Sequence, residues 1–137
     1  MKYNEYSINE LNYLEIGFAQ ILEDLIARVI PEQELKVGRD WDYIRVEIWE
    51  DSGRIIFFPS SSKKINRIDK FGNNIICQEL VEKVEKFDQL DISEDEFDQL
   101  FFQLQNHIAN RVLNFFSSQS HFALRCFNQD DEEMFNE

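Results

Sequence analysis

Two short runs with a hydropathy period of two, set back to back near the middle of the chain, constrain its fold more than any other feature. Tyr43-Ile44-Arg45-Val46-Glu47-Ile48-Trp49 alternates as a half-buried strand does, and Glu50-Asp51-Ser52-Gly53 follows with turn chemistry. Arg54-Ile55-Ile56-Phe57-Phe58 then returns as a second strand, stopped by Pro59 and three serines. The unit reads as a hairpin around a four-residue loop. In the first strand Ile44, Val46 and Ile48 share one side, leaving Tyr43, Arg45, Glu47 and Trp49 on the other. Both sides of the second strand are apolar. Ile56 and Phe58 can serve one side and Ile55 and Phe57 the other, so an outer face carrying Tyr43, Arg45, Trp49, Ile55 and Phe57 is expected. Aromatics beside an arginine have the composition of an interface core, and Trp, Tyr and Arg are the types in which binding energy concentrates. The competing reading is ordinary sheet packing, with Tyr43 and Trp49 covered by a loop or the C-terminal tail.

On either side of the hairpin the period changes to that of a helix. Ser7 to Glu10 fits a capping box, and Leu11, Leu14, Phe18, Ile21, Leu22, Leu25, Ile26 and Val29 recur at helical spacing until Pro31. Lys63 to Lys70 is a candidate third, more polar strand, closed by a turn at Phe71 to Asn74. From Ile76 the series Leu80, Val84, Phe87 indicates a second helix, with Asn74 as its N-cap. Ser93 to Glu96 is another capping box, ahead of a third helix of about six turns carrying Phe97, Leu100, Phe101, Leu104, Ile108, Val112, Phe115 and Phe116. His121 to Phe127 alternates as a final strand before an acidic tail, residues 128–137. This order excludes a regular βαβ series. The expected fold is α+β and two-layered, with an antiparallel sheet of three to four strands and three helices mainly on one face.

The 137 residues suit one domain, and a chain of this length buries about two thirds of its unfolded surface on folding. Thirteen phenylalanines can fill the core, which sets the chain apart from disordered sequences of similar charge. The absence of a basic, apolar leader and of any long uncharged apolar run points to a cytoplasmic protein with no membrane segment.

The formal net charge is -13, and residues 79–100 alone hold nine carboxylates against two lysines. Part of that excess has local work. Glu79 with Lys83 and Glu82 with Lys86 are helical i,i+4 pairs, and Glu94, Asp95, Glu96 and Asp98 offset the positive end of the third helix. The remainder, centred on Glu85, Asp88 and Asp91, is surplus that can steer a basic partner, with Glu82 and Glu94 at its margins. Direct nucleic-acid binding is disfavoured, because counterion release needs Lys and Arg and only residues 54–70 supply them.

Catalytic motifs are lacking. His107 and His121 sit in no metal-binding spacing, Cys77 and Cys126 form no CxxC pair, and no nucleophile elbow, GxGxxG or Walker pattern occurs. No cofactor, metal or catalytic residue is therefore expected. In size, acidity and layout the whole chain resembles the small acidic bacterial immunity proteins of contact-dependent and polymorphic toxin systems, through ELVEKVEKFDQLDISEDEFDQL and WDYIRVEIW. That resemblance implies a protein that is no enzyme and that neutralises a toxin domain, often a basic nuclease, as a monomer or weak homodimer. Its contacts would come from the acidic helix (Glu82, Glu85, Asp88, Asp91, Glu94) or the sheet face (Tyr43, Arg45, Trp49, Phe57). The alternatives are an acidic secretion chaperone acting as a homodimer, and a small metal-dependent enzyme.

Overall fold

The structure is a computed structural model that describes residues 4–31, 41–61, 72–119 and 123–135. The hairpin stands where the alternation placed it: β2 (Tyr43–Trp49) pairs antiparallel with β3 (Arg54–Ser60), from Tyr43 opposite Ser60 to Trp49 opposite Arg54. Pro59 does not end β3. It lies opposite Ile44, whose N–H donates at 2.8 Å to Ala123 on the other side of β2, so the missing proline N–H breaks no bond between the two strands.

The sheet is larger than expected and differently connected. Strand β4 (Asn73–Cys77) pairs antiparallel with the free side of β3, and β1 (Asn4–Ile8) runs parallel to β4. On the other side β5 (Leu124–Asn128) is parallel to β2, and β6 (Glu133–Met134) closes the edge. Among the described residues the sheet has six strands in the order β1-β4-β3-β2-β5-β6. The α+β class stands, whereas the expected antiparallel sheet of three to four strands is corrected to a mixed sheet of six. Ser7 and Asn74, read as helix caps, are strand residues: the side-chain chemistry that favours a cap did not outweigh the ladder that Asn4–Ile8 and Asn73–Cys77 form across a long separation. The candidate strand at Lys63 to Lys70 and His121 lie outside the described residues.

Three α-helices are described: α1 (Leu14–Asp24), α2 (Gln78–Asp88) and α3 (Glu94–Ser117). A 3-10 turn at Leu11–Tyr13 leads into α1 without side-chain capping, and a π-helical turn at Leu25–Val29 extends it. The cap on α3 forms as expected, with Ser93 Oγ accepting the Glu96 N–H at 3.2 Å. Leu14, Phe18, Ile21, Leu25 and Val29 join Leu80, Val84, Ile108, Val112 and Phe116 in one core against Ile44, Val46, Ile48, Ile55, Phe57 and Ile75 of the sheet.

That shared core corrects the second strand's orientation. Phe57 lies opposite Val46 and is fully buried, with ring centroids 6.2 Å from Phe18 and 5.9 Å from Phe116. Ile55 points the same way, and Ile56 and Phe58 take the outer side. Directly paired residues of an antiparallel ladder share a face, so the register of the hairpin, which hydropathy does not encode when both faces are apolar, decides it. The described part of the C-terminal segment turns at Gln129 to Asp131 and returns as β6.

Candidate functional site

The outer face of β2 is a closed network. Arg45 is buried, its Nε donates at 2.7 Å to Glu47 Oε2, its Nη2 binds Asp131, and its guanidinium lies 3.8 Å above the Phe127 ring. Trp49 is half-buried and donates from Nε1 to Glu47 Oε1 at 3.0 Å. Tyr43 is buried beneath the guanidinium of Arg125, which pairs with Glu133 at 2.9 Å. Of the two aromatics in the ordinary-packing reading, Tyr43 is buried and Trp49 is half-buried. The expected open aromatic patch is corrected: the two arginines spend their charge on Glu47, Asp131 and Glu133, and Phe57 is on the opposite side of the sheet.

A different concavity gathers part of the acidic surplus. A cleft of about 590 Å³ opens where the 3-10 turn Glu50–Ser52, the second half of α2, the first half of α3 and the turn after β5 meet. The turn can approach α2 because Gly53 has φ +67 and no side chain: a Cβ there would lie 2.4 Å from Val81 Cγ2 and 2.7 Å from the Cys77 carbonyl oxygen. The Cys77 N–H donates to the Gly53 carbonyl at 2.8 Å and fastens the contact.

Six carboxylates line this cleft, from Glu50, Asp51, Glu85, Asp88, Asp98 and Asp130, and no Lys or Arg stands among the described lining residues. The negative end of the α2 dipole adds to their field at Asp88. Phe97 and Phe101 form an aromatic wall with centroids 4.7 Å apart, and Phe87 backs Phe101 at 5.6 Å.

Glu50 differs from the other five in burial. It is 1% exposed, one carboxylate oxygen accepts from Gln105 Nε2 at 2.6 Å and from Gln129 Nε2 at 3.5 Å, and the other, Oε2, is buried without a partner. Burial pushes its carboxyl above the ordinary glutamate range, and the charges of Asp51 and Asp130 push the same way; its own backbone N–H and Gln105 oppose them.

Of the residues expected to bind a partner, Glu85 and Asp88 come together in the cleft. Glu82, Asp91 and Glu94 are exposed but line no part of it. Sequence reasoning missed Glu50, Gln105 and Gln129. Glu50-Asp51 ahead of Gly53 reads only as a turn, and nothing local to it tells that α2, α3 and the last hairpin converge there. Among the described residues no group of three or more His, Cys, Asp or Glu is arranged to hold a metal ion, and no helix is long and apolar enough to cross a membrane. No protein-family model, curated protein or solved structure matches the chain.

Proposed function

We propose that this protein is a binding module for a basic protein partner, engaged through the acidic cleft, and that it acts as an immunity protein neutralising a toxin domain of the basic nuclease kind. The observation that carries the reading is the convergence of six carboxylates from four separate elements on one concavity without a cation among its described lining residues. Like charges crowded in this way cost stability, and a partner's cations offset that cost on binding. Exposed carboxylates at the rim, Glu85 and Asp88, would set the association rate. The outer sheet face is the lesser candidate because its charges already satisfy one another.

Growth rescue tests the proposal. Expression of a toxin domain encoded beside this gene should arrest growth, and co-expression of the chain should restore it. Reversing the rim with Glu85→Lys and Asp88→Lys should abolish rescue at a melting temperature no lower than the parent's, while Glu82→Lys with Asp91→Lys should leave rescue intact. The absence of a neighbouring toxin gene, or rescue indifferent to the rim charges, would overturn it.

A further inference from the structure

We infer that the acidic cleft contains a subsite for one arginine side chain, with Glu50 as its buried anion and Phe97 and Phe101 as its aromatic wall. The inference deepens the proposed function and rests on that reading for the source of the arginine. Two independent observations point to the same ligand chemistry.

The first is the orphaned oxygen. Buried polar atoms in folded proteins nearly always have a hydrogen-bond partner, and a buried carboxylate oxygen lacking one is costly. Glu50 Oε2 lacks one in a residue that lines an open cleft, and the Gln105 amide at 2.6 Å holds the neighbouring oxygen in place. The missing contact is a donor. Every other ionisable group lining the described cleft is acidic, so the donor that suits it is cationic.

The second is the wall. Phe97 and Phe101 present ring surface beside the carboxylates, and Phe87 supports Phe101 from behind. An ammonium ion is compact and strongly hydrated, whereas a guanidinium is planar, stacks on aromatic faces and donates two parallel N–H bonds to a carboxylate. A cleft with both a buried carboxylate and ring faces therefore selects arginine over lysine. Asp88 and Asp98, on the flanking helices, hold further acceptors for the remaining guanidinium N–H groups.

The test uses the full chain and a small probe, so that it does not depend on the partner. N-acetyl-arginine amide is titrated into labelled protein at low salt and followed by amide NMR, including the side-chain NH2 signals of Gln105 and Gln129. The expected result is saturable shifts at those side chains and in the amides around residues 50, 88 and 98. N-acetyl-lysine amide should bind several-fold more weakly, and Glu50→Gln should weaken the arginine probe by about tenfold, the loss of one charge-assisted bond. Asp88→Asn, at an exposed rim position, provides a second variant with the same expected direction, and Glu23→Gln on the exposed side of α1 should change nothing.

Shifts spread evenly over all acidic surfaces, equal binding of the lysine probe, or unaltered affinity in Glu50→Gln would each overturn the subsite. Failure here with growth rescue still dependent on Glu85 and Asp88 would remove the arginine subsite and leave the proposed function standing. Arginine binding at Glu50 without rescue would remove the immunity reading and keep the subsite.

Discussion

At the scale of single residues, Glu50 sets stability against binding. Its raised pKa means that the folded state holds the proton more tightly than the unfolded chain does. The associated stability is present below the ordinary glutamate value of 4.5 and is lost as pH rises through the folded-state value. Glu15 and Glu133 work with the opposite sign: hydrogen bonds from Arg111 and Arg125 hold their carboxyls below the ordinary range, so their contribution is present above 4.5 and lost on acidification through the lower value. Glu50→Gln should therefore stabilise the unliganded protein at pH 7, because it removes a charge that burial penalises. The gain should vanish near about pH 3, well below the ordinary value of 4.5, where Glu50 is protonated in both states. Urea unfolding at the two pH values checks this, and a destabilised variant at pH 7 would show that the carboxylate is already well compensated. A residue that costs stability while serving a site is the usual form of the trade-off between the two.

At the scale of elements, the hairpin turn and α2 are joined by close backbone approach. Gly53→Ala would force a side chain onto a left-handed backbone and into Val81 and the Cys77 carbonyl. The expected loss is about 2 to 4 kcal/mol, combining the left-handed penalty with overpacking. Denaturant unfolding reads the loss, and a variant within about 0.5 kcal/mol of the parent would mean that the turn moves freely away from α2. The elements also show what local signals convey. The alternation of Tyr43–Trp49 and the stripe from Leu104 to Phe116 each determine an element, because their neighbours a few positions away carry the pattern. Asn4–Ile8 and Asn73–Cys77 carry no such pattern strongly enough. They become strands by pairing with one another across most of the first half of the chain, and the cap-like Ser7 and Asn74 misdirect a local reading.

At the scale of the whole molecule, the relevant quantity is the distribution of a net charge of -13. Folding neutralises some of it in pairs, Arg45 with Glu47 and Asp131, Arg111 with Glu15, and Arg125 with Glu133, whereas no Lys or Arg stands beside the acids of the cleft among its described lining residues. Association with a basic partner should then slow steeply as salt rises from 50 to 500 mM, about the range over which the screening length falls below 5 Å. Neutralising Glu85 and Asp88 should lower the on-rate more than neutralising Glu82 and Glu94, as stopped-flow mixing would show. Salt-independent association would set charge steering aside.

The sequence by itself determined the α+β class, the β2–β3 hairpin, the capped third helix and the acidic excess, because each follows from periodicity, capping or composition read within a few residues. It also marked Glu85 and Asp88 as surplus charge. Only the tertiary structure decided which strands flank the hairpin, which side Phe57 faces, and that Arg45 is spent on Glu47 and Asp131. The same holds for the cleft. Glu50, Asp88, Asp98 and Asp130 meet through contacts among a turn, two helices and a hairpin far apart in the chain, and register and packing, which have no local signature, bring them together.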